Sequence, residues 1–197
     1  ILSLRRLIRL LYCSFIKNLG KKNDHKSGFV SIIGNPNVGK STFMNALLGS
    51  DISIVTPKVQ TTRHRILGIV NGHNFQVVFS DTPGIIKPSY KMQNSMMNFV
   101  KDALKDADII IYMVTANDEN LKDQKLLNRI KKTKSPLFIL INKIDKSTQK
   151  LVEKKVSYWK TIFPLANVYP ISALNGFFIS EVFNSIKELI PNSPAYF

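Results

Sequence analysis

The chain has 197 residues, enough for one well-buried domain and too few for two of comfortable size. Its 44% hydrophobic and 21% charged residues are typical of a globular protein, and its single cysteine excludes a disulfide-stabilised fold. Lys and Arg outnumber Asp and Glu by 28 to 13, and the net charge of +15 favours a polyanionic partner, either nucleic acid or an anionic membrane. A basic surface that is merely solvated is the alternative.

The first 27 residues differ from the rest of the chain. They carry seven Lys or Arg and a single acid, Asp24. Apolar residues recur at roughly helical spacing between Leu4 and Ile16, but arginines interrupt them, so this is not a transmembrane span. We expect residues 1–27 to be a basic extension, either disordered or an amphipathic helix on a membrane surface or in a targeting segment. Residues 28–197 then form the main domain.

A strand, a glycine-containing loop and a helix follow one another at the start of this domain. Residues 29–33 read as a buried strand, and residues 42–48 as a helix that stops at Gly49. Between them, residues 34–41 fit G-x-x-x-x-G-K-[ST], the phosphate-binding loop, in the strand-loop-helix context that this motif requires. Glycine lets the backbone wrap a phosphate so that N–H groups and the helix N-terminus face the anion. The alternative is an ordinary turn before a helix.

Two side chains of this loop have defined chemical roles in the prediction. Lys40 would reach the β- and γ-phosphates of a nucleotide, and the Ser41 hydroxyl would bind Mg²⁺. The other loop residues that we expect to contact the nucleotide are Asn35, Asn37, Val38, Gly39 and Thr42.

The remainder of the chain alternates strands with helices. The predicted strands are residues 66–70, 75–79, 108–114, 136–141 and 168–171, and the predicted helices are residues 89–105, 121–132, 148–163 and 179–190. Asn71-Gly72 indicates a hairpin between the first two of these strands, with a loop longer than two residues. The pattern predicts an α/β fold of three layers, with a mostly parallel six-stranded sheet that contains one antiparallel strand.

Polar motifs follow four of the strands, and in an open α/β sheet ligands bind outside the carboxyl ends of the strands. Asp81 follows residues 75–79, in the position of a carboxylate that holds Mg²⁺, commonly through a water. The Gly84 N–H would contact the γ-phosphate. Asp-Thr-Pro-Gly is also a good turn sequence, which is the structural alternative.

The motif Asn142-Lys143-x-Asp145 indicates which base is bound. The Asp145 carboxylate can accept hydrogen bonds from guanine N1–H and from the exocyclic amine, whereas adenine offers neither donor. Leaving such a site unpaired discriminates by about 10⁴-fold or more. The Lys143 stem would cover the base, Asn142 would link the loops, and Ala173 of the pair Ser172-Ala173 would donate its N–H to the guanine carbonyl.

The five loops together resemble the signatures of the translation-factor class of P-loop GTPases. The stretches at residues 35–42 and 60–65 are similar to those of the Era family of bacterial ribosome-assembly GTPases. The resemblance covers residues 28–197 and implies the P-loop NTPase fold. Era proteins continue into an RNA-binding KH domain after a segment like residues 191–197, and the resemblance includes the GTPase domain only.

The resemblance also implies roles in the switch regions. Thr62 is expected to complete the Mg²⁺ coordination in the GTP state, with Thr61 as the alternative, and Lys40, Thr62 and Gly84 form the catalytic set. Switch I would be residues 58–65, and switch II would run from residue 81 into the helix after residue 89. Ile85 stands where Ras-like enzymes place a water-orienting glutamine, which predicts slow intrinsic hydrolysis. An asparagine placed like Asn37 helps related GTPases to bind K⁺; a plain turn residue is the alternative.

The resemblance finally implies a biological setting. We expect a monomeric, cytoplasmic GTPase that binds GTP or GDP with Mg²⁺ and acts with ribosomal RNA in assembly of the small, 30S-type ribosomal subunit. Two alternatives remain. One is a nucleotide-sensing RNA- or ribosome-docking module with little turnover, and the other is a GTPase peripherally bound to the inner membrane through residues 4–16.

Overall fold

The computed structural model describes residues 25–49, 60–61, 64–81, 104, 106–117 and 124–197. The predicted extension, except residues 25–27, and nearly all of the helix predicted at residues 89–105 lie outside them. The strands are β1 (Lys26–Gly34), β2 (Gln60–Thr61), β3 (His64–Gly72), β4 (Phe75–Asp81), β5 (Ile109–Thr115), β6 (Leu137–Asn142) and β7 (Asn167–Pro170). The helices are α1 (Lys40–Gly49), α2 (Gln124–Lys131), α3 (Gln149–Ile162) and α4 (Ile179–Leu189), with a 3-10 turn at Ile144–Lys146. None of the helices in these ranges is long and apolar enough to cross a membrane.

The strands form one sheet in the order β2-β3-β4-β1-β5-β6-β7. β3 is antiparallel to both of its neighbours, and the remaining pairs are parallel. The six predicted strands and the single antiparallel strand are therefore confirmed. The two-residue β2 adds a seventh strand at the edge, and it is too short to carry a hydrophobic pattern of its own.

Two local predictions need correction. β1 begins at Lys26 rather than at residue 29, so two residues assigned to the basic extension belong to the sheet, and Ser27 is fully buried. The β3–β4 hairpin has a two-residue turn, His73-Asn74, because Gly72 pairs directly with Phe75. The predicted longer loop was wrong because the strands extend further than their apolar residues.

Helices cover both faces of the sheet, as the nearly all-apolar central strands require. β5 is buried at all seven positions, and successive side chains alternate between two separate cores. One core contains side chains of α1 and α4, and the other contains side chains of α2 and α3. α4 illustrates the pattern, because four buried residues at helical spacing form its inner face: Ile179, Val182, Phe183 and Ile186.

The helix that follows the phosphate loop is fixed to the sheet by its apolar side. Phe43 and Leu47, one helical turn apart, are fully buried, and burial of each such side chain contributes about 1.5–3 kcal/mol. The first intrahelical bond runs from the Phe43 N–H to the Gly39 carbonyl at 2.9 Å. The helix N-terminus is thereby held at the end of β1.

Residues 190–197, which we call the C-terminal tail, cross the opposite end of the sheet. The Gln76 side chain on β4 is 2% exposed, and its oxygen accepts the N–H groups of Tyr196 (2.7 Å) and Phe197 (3.1 Å). Its nitrogen donates to the Phe197 carbonyl and to the Asn71 side chain, both at 2.9 Å. Further along the tail, the Ser193 N–H donates to the carbonyl of His25 at 3.0 Å. The tail is thus hydrogen-bonded to β4 and to the residue that precedes β1.

Candidate functional site

The predicted motifs meet at one edge of the sheet, where the parallel strands end. Gly34 at the end of β1 pairs with Met113 of β5, and Asn142 at the end of β6 pairs with Thr115. Asp81, the last residue of β4, pairs with Ile32 of β1, two positions before Gly34. β1, β4, β6 and β7 therefore all end at the carboxyl edge of the sheet, the usual ligand-binding position of an open α/β sheet.

The phosphate-binding loop adopts a backbone that most residues avoid. Asn37 (φ 63°) and Gly39 (φ 101°) both lie at positive φ. A Cβ at Gly39 would collide with the Asn142 side chain, so glycine is required there for space as well as for conformation. The Lys40 ammonium donates to the carbonyl oxygens of Gly34 (3.0 Å) and Asn35 (3.1 Å), across the start of the same loop. This places a positive charge against the concave backbone that would hold a phosphate.

A buried asparagine links the phosphate-binding loop to the two loops on its other side. The Asn142 amide, 2% exposed, donates to the Val38 carbonyl at 2.7 Å. Its oxygen accepts the Ala173 N–H at 3.0 Å. The predicted linking role of Asn142 is therefore present in the structure. Because the Ala173 N–H already has an acceptor, a guanine carbonyl would have to share or replace that bond.

Lys143 makes a second link between the same loops. It has φ 62°, which directs the chain from β6 into the 3-10 turn. Its ammonium donates to the Asn37 carbonyl at 2.6 Å. The aliphatic stem therefore spans the distance from the end of β6 to the phosphate-binding loop, and an apolar stem in this position can cover a planar base.

The carboxylate predicted to read the base is exposed and oriented by a hydroxyl. Ser172 Oγ donates to one oxygen of Asp145 at 2.6 Å and accepts the Asn175 N–H at 3.4 Å. The Ile144 N–H donates to the Ile171 carbonyl at 3.3 Å, which joins the two loops through their backbones. The sequence indicated Ser172 as a contact to the nucleotide, but it carried no sign that this hydroxyl orients Asp145.

The predicted Mg²⁺ ligands are oxygen donors, which suit a hard cation. Ser41 is exposed in the first turn of α1. Asp81 ends the strand beside β1, and Thr62 and Gly84 lie outside the described residues. Within the described part of the chain, no cluster of three or more His, Cys, Asp or Glu could hold a metal. An exposed hydroxyl such as that of Ser41 is a suitable ligand for Mg²⁺, which when bound would neutralise charge on the phosphates.

The fold and these loops define the class of protein. A phosphate-binding loop between β1 and α1 and an Asn-Lys-x-Asp loop after β6, linked by buried hydrogen bonds, are the arrangement of a P-loop GTPase. The sequence matches the model of the 50S ribosome-binding GTPase family over residues 29–143. This match covers more than half of the chain, and the chain belongs to that family.

Solved structures place the chain beside Era. It is similar to an Era variant from Aquifex aeolicus bound to GDP·AlF4⁻, with 38% identity and a TM-score of 0.72 over 87% of this chain and 60% of that chain. It is equally similar (38% identity, TM-score 0.72) to Era in complex with MgGDPNP and a segment of 16S ribosomal RNA, over 88% of this chain and 60% of that one. The chain thus spans about 60% of the length of these Era chains.

A more distant similarity supports the fold alone. The G domain of FeoB from Methanococcus jannaschii is 24% identical, with a TM-score of 0.59 over 83% of this chain and 97% of that chain. The similarity therefore extends over nearly the whole fold of that G domain.

Proposed function

We propose that this chain binds GTP with Mg²⁺, hydrolyses it to GDP and phosphate, and acts as a switch during assembly of the small ribosomal subunit. The observation that carries the nucleotide assignment is the exposed Asp145 carboxylate, oriented by Ser172 at 2.6 Å beside the loop that Asn142 links to the phosphate-binding loop. Only a purine with two adjacent donors satisfies this carboxylate, and guanine is such a purine.

The proposed chemistry requires positioning and charge stabilisation rather than a protein nucleophile. Lys40 and the N–H groups of its loop would hold the β- and γ-phosphates, and Ser41, Thr62 and Asp81 would hold Mg²⁺. Thr62 and the Gly84 N–H would contact the γ-phosphate side, where water attacks. These roles agree with a family of GTPases, and both Era structures contain guanine nucleotides.

The test of base recognition is a calorimetric competition between nucleotides. We expect GTP and GDP to bind in the presence of Mg²⁺, and ATP to bind weaker by about 10⁴-fold because it leaves the carboxylate unpaired. Chelation of Mg²⁺ should weaken GTP binding more than GDP binding. A titration in which ATP displaces GTP would contradict the assignment.

A ribosomal role is supported by the family, whose description names the 50S subunit, and the small subunit is favoured by the Era complex with a segment of 16S ribosomal RNA. Single-turnover GTP hydrolysis, measured with and without small ribosomal subunits, tests it. We expect slow hydrolysis alone, because Ile85 cannot orient water, and faster hydrolysis with the subunit. Large ribosomal subunits at equal concentration provide the comparison, and stronger acceleration by them than by small subunits would contradict the small-subunit assignment.

The residue Ile85 also favours a second candidate, a nucleotide-sensing docking module with incidental turnover. This candidate predicts subunit binding that depends on GTP, together with a hydrolysis rate that the subunit leaves unchanged. The same single-turnover measurement therefore separates the two functions.

Potassium is a further proposed cofactor. Asn37 is exposed at the phosphate-binding loop, and its carbonyl accepts the Lys143 ammonium at 2.6 Å, so its backbone position is fixed. We expect hydrolysis to be faster in KCl than in NaCl and the difference to disappear in Asn37→Ala. Equal wild-type rates in both salts would remove K⁺ from the proposal.

A further inference from the structure

A group of exposed lysines lies at the end of the sheet opposite the nucleotide-binding loops. We call it the lysine patch, and its members are Lys131, Lys132, Lys134 and Lys160. Three of them belong to the end of α2 and the turn before β6, and the fourth lies in the last turn of α3. β6 runs from this end toward Asn142, so the patch and the nucleotide site lie at opposite ends of one strand.

Several contacts bring the two segments of the patch together. The Lys131 ammonium lies 5.8 Å from the ring centroid of Phe163, whose N–H donates to the Trp159 carbonyl at the end of α3. After α2 the chain turns tightly, because Thr133 donates to the Ile130 carbonyl through both its N–H (3.1 Å) and its hydroxyl (2.9 Å). β6 and β7 then start side by side, so the segments before them are neighbours.

The patch lacks acidic residues of its own. Residues 127–137 and 157–167 contain five Lys or Arg and no Asp or Glu. The acids on the adjoining end of β5 are Asp106 and Asp108, next to Ala107, which accepts the Ser135 hydroxyl at 2.8 Å. Asp108 already accepts the Phe29 N–H at 2.9 Å. The two segments therefore carry more positive than negative charge, which gives this surface a positive potential.

The surroundings of the lysines indicate which polyanion fits. Trp159 and Phe163 are 1% and 7% exposed, so neither ring is available to stack on an unpaired base. The exposed apolar side chain of this surface is Leu165, and one leucine is too little apolar area for stable insertion into a bilayer. The surface therefore offers mainly lysine ammonium groups. These bind phosphates as point charges and do not distinguish one base sequence from another.

We propose that the lysine patch is a contact surface for RNA, on which the phosphate backbone binds independently of sequence and of the bound nucleotide. This inference rests on the proposed function in so far as it takes RNA as the partner. Because the patch lies at the amino ends of the strands and the nucleotide loops lie at the carboxyl ends, RNA bound here leaves the nucleotide site accessible. The affinity of the patch for RNA should be equal in GDP and in a GTP analogue.

The experiment measures how the RNA affinity of the full chain depends on salt. Neutralised phosphates release counterions, so the slope of log K against log salt changes by about 0.7 for each lysine contact with single-stranded RNA. With all four lysines replaced by serine, we expect the slope to fall by up to about 2.8. The probe is an RNA oligonucleotide without known binding sites, titrated by fluorescence anisotropy.

Two control variants test whether a change in the salt slope is due to charge and to the position of the lysines. Replacing the same four lysines by arginine keeps the charge and should keep the wild-type slope. The pair Lys150→Ser with Lys154→Ser removes two exposed lysines from the first half of α3, where Glu153 lies between them, and should leave the slope unchanged. GTP affinity, measured on each variant, shows that the fold is intact.

The outcomes separate this inference from the proposed function. In one outcome, the wild-type chain binds RNA with a slope of log K against log salt that is the same in the serine variant. That result would overturn the lysine patch and leave the proposed function unaffected. Absence of wild-type RNA binding would also overturn the lysine patch, whereas the proposed function is tested separately by GTP affinity and by hydrolysis with small ribosomal subunits. If the serine variant loses binding to phosphatidylserine vesicles while its RNA slope is unchanged, the patch is a lipid contact and the inference is wrong.

Discussion

At each end of the sheet, a buried amide side chain links separate segments by hydrogen bonds. One link lies beside the nucleotide-binding loops, and the other lies beside the C-terminal tail. At the carboxyl end, Asn142 joins the phosphate-binding loop to the loop after β7, beside the exposed Asp145. At the opposite end, Gln76 joins β4 to the C-terminal tail. Loss of the Asn142 hydrogen bonds should therefore lower nucleotide affinity, whereas loss of the Gln76 hydrogen bonds should lower the stability of the fold.

The largest effect is expected from Asp145→Asn at the carboxyl end. The new amide cannot accept from both guanine donors, but it can donate to the ring carbonyl of xanthine, so the ratio of GTP to XTP affinity should change by about 10⁴-fold. Competition binding measures this ratio. Glu153→Gln, a change of an exposed carboxylate on α3, is the matched control and should leave the ratio unchanged.

Lys40→Ala should have the second-largest effect, a loss of GTP affinity. The lysine contributes a charge that pairs with phosphate, and loss of one partner of such a pair costs about 2–5 kcal/mol, or roughly 30- to 4000-fold in GTP affinity. Lys150→Ala on exposed α3 provides the control in calorimetry. GTP affinity within threefold of wild type in Lys40→Ala would contradict the assignment of the phosphate-binding loop.

Asn142→Ala should affect both affinity and stability, which makes it the sharpest test of the comparison. The Val38 carbonyl and the Ala173 N–H would lose a buried partner at once, at about 1–3 kcal/mol each. We expect GTP affinity to fall by roughly 10- to 100-fold and the midpoint of urea unfolding to fall as well. A change in stability without any change in affinity would separate Asn142 from the binding site.

Gln76→Leu should have the smallest effect of the four variants. It should lower stability and leave GTP affinity unchanged. The Tyr196 and Phe197 N–H groups would lose their acceptor, which costs about 1–3 kcal/mol of unfolding free energy, while GTP affinity stays within twofold of wild type. Gln149→Leu, on the exposed start of α3, controls for loss of the amide. Equal urea midpoints for Gln76→Leu and wild type would show that the Gln76 contacts contribute nothing to stability.

The described part of the fold was largely predictable because its signals are local. Central strands such as β5 are runs of apolar residues, helices such as α4 repeat them at helical spacing, and the loop motifs follow strand ends. The two-residue β2 was missed because no pattern fits in two residues. The start of β1 was placed late because Lys26 and Ser27 are polar, although Ser27 is buried.

The contacts between loops were predictable only in part. The linking role of Asn142 was expected from its motif, whereas the hydroxyl of Ser172 on Asp145, 27 positions away, was not. The Gln76 contacts bridge up to 121 positions, and in the sequence Gln76 looks like an ordinary polar residue of a strand. Such contacts depend on which segments the fold brings together, and hydrophobic periodicity does not contain that information.

The contact between His25 and the C-terminal tail has a mechanical consequence. Because the His25 carbonyl and the Ser193 N–H are hydrogen-bonded at 3.0 Å, a force applied to both flanks of the domain would act first on this seam. The hydrogen bonds of the tail to β1 and β4 would break one after another, before the hydrogen bonds between the central strands break. Handles for optical tweezers attached on these two sides should therefore record a low-force step before the main rupture, with the nucleotide still bound.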